Sequence, residues 1–164
     1  MKKLFLIGGA MGIGKTSVCQ RLKEELPNSV FLDGDWCWDA NPFHVTEETK
    51  RMVLDNICYL LNNFIHCSVY ETIIFCWVMH EQAIIDEMIG RLDIASCDMK
   101  TISLIADEHS LRNRLLGDIA KGVRTDDIIE RSVDRLPFYE RLDTVKLDTG
   151  GKTIQMISDE IKRL

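Results

Sequence analysis

Apolar residues recur along the chain in two patterns, and the two patterns alternate from one end to the other. Short continuous apolar runs are typical of strands buried on both faces, whereas apolar residues three or four apart indicate helices. The runs predict five strands, at residues 4–7, 29–33, 70–78, 99–106 and 144–148. The helical spacing recurs after every strand, at Val18, Leu22 and Leu26; Val53, Ile57, Leu60, Leu61 and Phe64; Ile84, Ile85, Met88 and Ile89; Leu111, Leu115 and Ile119; Ile128, Ile129, Val133 and Leu136; and Ile154, Ile157, Ile161 and Leu164.

This alternation determines the fold class that the sequence predicts. Strands that alternate with helices favour an α/β protein, with a parallel sheet covered by helices on both faces. The 164 residues contain no repeat or linker, so we expect one domain over residues 1–164. Thr46 is expected to cap the long second helix, and Asp107 the fourth. A polar, glycine-containing interruption covers residues 117–126, and the helix after it runs towards Pro137.

The segment Gly9-Ala-Met-Gly-Ile-Gly-Lys-Thr16 joins the first strand to the first helix. It matches G-x-x-x-x-G-K-[ST], whose glycines let backbone N–H groups converge on phosphate oxygens at a helix N-terminus. Lys15 is expected to reach the β- and γ-phosphates, and the Thr16 hydroxyl to bind Mg²⁺. A plain glycine-rich turn is the alternative, but the flanking strand and helix favour nucleotide binding. The residues assigned to the nucleotide are Gly9, Ala10, Met11, Gly12, Ile13, Gly14, Lys15, Thr16 and Ser17.

Two carboxylates, Asp33 and Asp35, flank Gly34 at the end of the second strand. Ligands of parallel sheets bind outside the carboxyl ends of the strands, so these side chains are expected near the phosphates. Two tasks there need a carboxylate: holding Mg²⁺, and accepting a proton from an attacking hydroxyl. An Asp-Gly turn with solvated acids is the alternative.

Arginines concentrate in the segment that follows the fourth strand, at Arg112, Arg114, Arg124, Arg131 and Arg135. Phosphoryl transfer needs cations that neutralise the transferred group. We favour Arg114, Arg124 and Arg135 for this task, with Arg124 on a lid that closes over the phosphates. Ion pairing on a solvated helix surface is the alternative, and it is the expected state of Arg131.

Aromatic residues cluster between the second strand and the long helix, at Trp36, Trp38, Phe43 and His44. Rings offer a large contact area with little entropy to lose, so the cluster could bind an acceptor. For Trp38 and Phe43 we expect instead that they cover the core.

Composition excludes several classes of partner. The net charge of −6, without a basic run, argues against nucleic acid or an anionic membrane. No apolar stretch reaches the roughly 18 residues that cross a bilayer, and the apolar N-terminus is interpreted as a strand rather than a signal peptide. The six cysteines lack metal-ligand spacing and are expected to be reduced, which indicates a cytoplasmic protein.

The phosphate loop, Asp33-Gly34-Asp35, the arginine-rich segment and the turn after the fifth strand together resemble the small P-loop kinases. These include shikimate, gluconate and adenylylsulfate kinases, chloramphenicol phosphotransferase and the nucleoside monophosphate kinases. The resemblance spans the chain in motif order and is most specific in the phosphate loop. It implies a P-loop NTPase three-layer sandwich whose five-stranded parallel sheet has the order 2-3-1-4-5. It also implies an acceptor-binding region at about 34–66, a lid at about 117–126 between strands 4 and 5, and ATP and Mg²⁺ as cofactors.

The resemblance also implies roles for individual residues. Asp33 would assist Thr16 in binding Mg²⁺, and Asp35 would orient or deprotonate the acceptor hydroxyl. Arg114 matches the arginine that stacks on adenine, Arg124 matches the lid arginine, and residues 149–152 match the loop that lines adenine. The catalytic residues implied are Lys15, Asp35 and Arg124.

One feature departs from the pattern of many P-loop proteins, in which the third strand ends in a carboxylate that supports Mg²⁺. Here the stretch reads Ile74-Phe-Cys-Trp-Val78. Either the Asp33 and Asp35 pair takes over this task, or metal handling is impaired.

The sequence thus predicts an ATP-dependent phosphotransferase that acts on a hydroxyl of a small molecule, as a monomer or homodimer. A nucleoside monophosphate kinase is one alternative, and its phosphate acceptor needs no base. The few cations of the long helix, Lys50 and Arg51, weakly disfavour a strongly phosphorylated acceptor. A nucleotide-binding regulatory module with weak NTPase activity is the other alternative, supported by the missing carboxylate.

Overall fold

The computed structural model describes residues 1–125 and 127–164. Its strands are β1 (Lys2–Gly9), β2 (Ser29–Asp33), β3 (Thr72–Trp77), β4 (Cys97–Ile105) and β5 (Val145–Asp148). Its α-helices are α1 (Lys15–Glu25), α2 (Glu47–His66), α3 (Gln82–Gly90), α4 (Glu108–Ala120), α5 (Ile128–Arg141) and α6 (Ile154–Lys162). Short 3₁₀ helices cover Gly34–Cys37 and Ile94–Ser96. All the predicted strands and helices are present.

The five strands form one parallel sheet in the order β2-β3-β1-β4-β5. This order confirms the predicted topology. β1 lies at the centre between β3 and β4, so the loop that follows β1 opens at the middle of the sheet edge. The ends of β2 and β3 lie beside it, because Asp33 pairs in register with Cys76 and Gly8 with Trp77.

The core surrounds the central strands on both faces. Successive residues of a strand point to opposite sides of the sheet, yet all four residues of the run from Leu4 to Ile7 are at most 1% exposed. Helices therefore cover both faces, as the continuous apolar runs predicted. α1 packs against α6, α5 packs on β4 and β1, and α2 packs on β3. The apolar stripes of these helices form the rest of the core.

Both predicted helix caps are present. Thr46 and Thr49 cap α2 reciprocally, because the N–H group of each donates to the hydroxyl oxygen of the other, at 2.9 and 3.1 Å. Asp107 caps α4 by accepting from the Ser110 N–H at 2.8 Å. These side chains satisfy N–H groups that have no acceptor within the helix.

Two helix boundaries differ from the predicted ones. α4 continues through Gly117 to Ala120, so the interruption begins at Lys121 rather than Gly117, and its predicted last residue, Asp126, lies outside the described residues. α5 passes through Pro137 and ends at Arg141. The buried Tyr139 holds this extension, because its hydroxyl donates to the Val78 carbonyl and its ring is inaccessible to solvent.

Within the described residues, no helix combines the length and the apolar character needed to cross a membrane. All six cysteines are free thiols, and residues 1–125 and 127–164 contain no cluster of three His, Cys, Asp or Glu side chains that could hold a metal ion.

Candidate active site

The loop between β1 and α1 presents backbone N–H groups that donate no hydrogen bond within the described residues. Gly14 precedes α1 in a left-handed conformation with φ of 105°, and it gives the helix no side-chain cap. In the described part of the chain, the N–H groups of Lys15, Thr16 and Ser17 therefore find no acceptor. Free N–H groups at the positive end of a helix dipole form a binding site for a phosphate.

A close approach of α4 explains why glycine occupies position 12. Gly12 has φ of 79°, which side-chain-bearing residues rarely adopt, and an added Cβ would lie 3.0 Å from Leu115 Cγ. The bottom of the loop therefore rests directly on α4.

Lys15 folds back over the loop. Its Nζ donates to the carbonyls of Gly9 and Ala10, at 2.8 and 3.0 Å. The loss of water around the ammonium lowers the pKa of Lys15, whereas the nearby carboxylates of Asp35 and Asp33 act in the opposite direction. A lysine held among carbonyls and short of water is well placed to take an anionic phosphate as a partner.

Thr16 and Asp33 form a pair of oxygen donors beside the loop. The Thr16 hydroxyl donates to Asp33 Oδ2 at 2.7 Å, and Asp33 is 5% exposed. Hydroxyl and carboxylate oxygens are ligands that Mg²⁺ accepts, and Mg²⁺ commonly completes its shell with water and substrate phosphates. Two protein oxygens therefore fit a magnesium ion carried by a nucleotide.

Asp33 also orients the start of the 3₁₀ helix, because its Oδ1 accepts from the Asp35 N–H at 3.1 Å. This bond directs Asp35 into the cleft, where its carboxylate keeps contact with solvent. Partial loss of water raises the pKa of Asp35, the charge of Asp33 raises it further, and Lys15 opposes both. A carboxylate with a raised pKa is a better proton acceptor than an ordinary aspartate.

Trp77 fixes the segment between the two carboxylates from below. A Cβ at position 34 would lie 2.5 Å from Trp77 Cγ, so only glycine fits there. Trp77 stands at the end of β3, where the predicted family pattern has a carboxylate. Its ring therefore supports the Asp33-Gly34-Asp35 turn by packing and supplies no metal ligand.

A cavity of about 520 Å³, the nucleotide cavity, lies over the loop and α4. The predicted nucleotide residues from Met11 to Ser17 line it, together with Asp33, Asp35, Arg114 and Arg124. Gly9 and Ala10 lie behind this wall, and their carbonyls hold Lys15. Two lysines that the sequence did not single out for the phosphates, Lys121 and Lys152, also face the cavity.

The two predicted arginines of the nucleotide cavity are held differently. Arg114 donates to the Ile13 carbonyl at 3.1 Å and to the Thr149 hydroxyl and carbonyl at 2.8 and 2.6 Å. It therefore ties the turn after β5 to the phosphate loop. Arg124 Nε makes one ion pair, with Asp118 Oδ2 at 3.1 Å, at the cavity wall.

A second cavity, the acceptor cavity, has a volume of about 910 Å³ and lies between α2, α3 and α5. Its walls include Trp38, Phe43, Trp77 and Ile84, and its charged side chains include Lys50, Arg51, Arg131 and Arg135. Met11 and Asp35 line both cavities. Asp35 therefore lies at the border between the two cavities.

The structure corrects the expectation for Phe43 and bears out surface ion pairing for two arginines. Phe43, expected to cover the core, is 55% exposed and lines the acceptor cavity. Arg131 is exposed and pairs with Asp127 at 3.4 Å, as expected of a surface residue, and it also lines the acceptor cavity. Arg112 lies outside both cavities, where it pairs with Glu108 and Glu130 at 2.7 Å.

The chain matches one protein-family model, described as an AAA domain, over residues 6–134. A search of curated protein sequences finds no significant match.

Solved structures share the fold over nearly the whole chain. A tunicamycin resistance protein from Deinococcus radiodurans has a TM-score of 0.71 at 19% identity, and covers 99% of this chain and 95% of its own. A gluconokinase from Sinorhizobium meliloti 1021 has a TM-score of 0.68 at 17% identity, with 96% and 88% coverage. A shikimate kinase from Aquifex aeolicus has a TM-score of 0.57 at 14% identity, with 98% and 94% coverage. At these identities the likeness concerns the fold.

Proposed function

The chain belongs to the AAA domain family of P-loop proteins, and from this premise we propose that it is an ATP-dependent kinase acting on a small-molecule hydroxyl. One observation carries the proposal: the Asp35 carboxylate lines both the nucleotide cavity and the acceptor cavity. A hydroxyl held in one cavity and a γ-phosphate held in the other would meet at this carboxylate. The kinases among the structures of similar fold support the same class of reaction.

The nucleotide side of the site follows from the free donors of the loop. The N–H groups of Lys15, Thr16 and Ser17 bind phosphate oxygens. Lys15 turns from its carbonyl partners to the β- and γ-phosphates. Thr16 and Asp33 would hold Mg²⁺, which would neutralise charge that develops on the phosphates. We assign the base to the guanidinium plane of Arg114, which lines the nucleotide cavity.

The transfer itself needs a proton acceptor and a cation. The acceptor hydroxyl oxygen forms a bond to the γ-phosphorus, the bond from that phosphorus to the β–γ bridging oxygen breaks, and ADP leaves with the electron pair. Asp35 takes the proton of the hydroxyl. Arg124 releases Asp118 and neutralises the transferred group, and the segment that follows α4 acts as the lid.

The charges of the acceptor cavity favour a hydroxyl over the phosphate of a nucleoside monophosphate. Its four permanent cations, Lys50, Arg51, Arg131 and Arg135, are matched by four carboxylates, Asp35, Glu47, Glu81 and Glu87. A phosphate carries about −1.5 to −2 charges near neutral pH, and a cavity without excess positive charge offers it little net attraction. The six free thiols suit a reducing compartment, so we place the enzyme in the cytoplasm.

The test measures ADP formation with Mg²⁺ and ATP across nucleosides, nucleoside monophosphates, sugars and hydroxylated antibiotics. We expect turnover that depends on one class of acceptor and disappears in Lys15→Ala. Tight ATP binding with the same low hydrolysis for every acceptor would contradict the proposal and favour a nucleotide-binding regulatory module.

A further inference from the structure

Two of the four cations of the acceptor cavity already have a protein partner among the described residues. Lys50 Nζ lies 2.9 Å from Glu47 Oε1, and the guanidinium of Arg131 lies 3.4 Å from Asp127 Oδ2. A paired cation has less free energy to gain from an additional anion than an unpaired one. Lys50 and Arg131 would therefore gain little free energy from a negatively charged ligand.

Arg135 is the exception in the interior of the cavity. Within the described residues, no carboxylate lies within 4.0 Å of its guanidinium, and the side chain is half-buried. Arg51 is also unpaired there, but it is exposed and water solvates it. A half-buried guanidinium that no carboxylate neutralises can gain free energy by pairing with an anionic ligand. Arg135 is thus the cation that a ligand can satisfy.

The histidine beside Arg135 does not compensate for this cation. Burial lowers the pKa of His80, and the positive charge of Arg135 lowers it further. His80 Nε2 lies 3.2 Å from Glu81 Oε1, whereas Nδ1 is buried and finds no partner in the described part of the chain. Protonation of Nδ1 would bury an unpaired N–H, so the ring is neutral and donates through Nε2. Arg135 therefore remains a positively charged side chain beside a neutral His80.

The remaining walls are aromatic and aliphatic. Trp38 and Phe43 pack together with ring centroids 4.6 Å apart, and Trp77 and Leu54 complete an apolar lining. The volume of about 910 Å³ lies near the upper end of the roughly 300–1,000 Å³ that is typical of sites for drug-sized ligands. A sugar-sized polyol would leave much of this space empty and would gain little from apolar walls.

We propose that the acceptor is a hydroxylated aromatic acid of drug-like size that carries one carboxylate. The carboxylate pairs with Arg135, because a planar guanidinium matches a carboxylate with two parallel hydrogen bonds. The ring system packs against Trp38, Phe43 and Trp77, and the hydroxyl faces Asp35. This inference rests on the proposed kinase activity for the role of the hydroxyl, but the binding preference stands by itself.

The experiment compares three probes on the full chain. They are 3-(2-naphthyl)lactate, which has a ring, a hydroxyl and a carboxylate; its methyl ester, which lacks the charge; and gluconate, which lacks the ring. Calorimetry without ATP gives the dissociation constants, and phosphorus NMR with Mg²⁺ and ATP follows phosphoryl transfer. We expect the naphthyl acid to bind at least tenfold more tightly than either of the other probes.

Arg135→Gln and Arg141→Gln are the matched variants. Both change an arginine of α5, but Arg141 is exposed and lines neither cavity. We expect the preference for the acid over the ester to fall to about onefold in Arg135→Gln and to persist in Arg141→Gln. Thermal denaturation of both variants verifies that they are folded.

The outcomes separate the two proposals. Equal binding of acid and ester, equal binding of gluconate, or no binding of any probe overturns the inference about the acceptor. Preferred binding of the naphthyl acid without phosphoryl transfer supports the inferred ligand class of this cavity and contradicts the proposed kinase activity. Phosphoryl transfer to gluconate without any binding preference supports the kinase and refutes the acceptor class.

Discussion

We expect the replacement of Asp35 with asparagine to lower the catalytic rate and to raise the stability of the fold. Asparagine keeps the size of the side chain and removes its basicity. General-base catalysis contributes about 10²–10⁴-fold to a rate, so we expect kcat to fall by that factor. Nucleotide affinity should change by less than about threefold, because the N–H groups of the loop and Lys15 are untouched. A regulatory module would show no such loss, since it has no transfer step to lose.

The stability of the same variant should move the other way. The folded-state pKa of Asp35 is raised, chiefly by loss of water and then by Asp33. The folded protein therefore binds this proton more tightly than the unfolded chain, and stability is lost as the pH rises above the ordinary aspartate value of 3.8. At neutral pH the asparagine variant escapes this loss. Because Asp35 keeps solvent contact, the gain is at most about 1 kcal/mol, or about 2–4 °C in melting temperature.

The assay combines steady-state kinetics with thermal denaturation at pH 7 and pH 4. Asp39→Asn is the control, because Asp39 is an exposed carboxylate near by that lines neither cavity. We expect the gain in melting temperature to shrink at pH 4, where less of Asp35 is ionised. A kcat within threefold of the native value, or a melting temperature below it at pH 7, would refute the reasoning.

Three further substitutions test the framework around the site. Gly12→Ala should lower the melting temperature and weaken ATP binding, because it places a side chain at φ of 79° against Leu115. The backbone strain costs about 1–2 kcal/mol. An ATP titration that gives the native affinity would contradict this prediction. Tyr139→Phe should cost about 1–3 kcal/mol, since it leaves a main-chain carbonyl of the β3–α3 loop without its donor, and denaturant unfolding measures that loss. Glu25→Gln should destabilise the protein at pH 7, because hydrogen bonding by Lys162 lowers the pKa of Glu25 from 4.5 to about 2. The contribution of Glu25 to stability is present above pH 4.5 and is lost as the pH falls towards 2. A destabilisation that persists at pH 2 would refute this prediction.

The phosphate loop and the sheet could be predicted because both depend on local patterns. Glycine and lysine spacing specify the loop, and the continuous apolar runs of β1 and β3 indicate strands covered on both faces. The strand order came from the family resemblance, since periodicity alone does not say which strands are neighbours. Asp35 could be anticipated because it follows the end of a parallel strand.

The acceptor cavity could be predicted only in part. Its side formed by residues 35–54 lies in the region that the family resemblance implies, whereas its walls from α3 and α5 depend on packing between distant helices. Arg131 and Arg135 line the cavity because α5 lies beside α2 and α3 there, and no local pattern of the chain encodes that arrangement. Helix continuation through Pro137 was missed for the same reason. A proline predicts a helix end, but the burial of Tyr139 stabilises the following turn. Arg114 meets Thr149 across 35 positions of sequence, which spacing alone does not reveal.

The contact between Trp77 and Gly34 constrains how this chain can evolve. Any side chain at position 34 would collide with the indole, so the glycine cannot change while the tryptophan is present. A change of Trp77 to aspartate, the residue type that many P-loop proteins carry there, would open a void beneath the Asp33-Gly34-Asp35 turn. The first mutation must therefore occur at position 77, and its effect depends on what stands at position 34. A lineage with this pair therefore tends to keep both residues together, because each single step away from it disturbs the Asp33-Gly34-Asp35 turn.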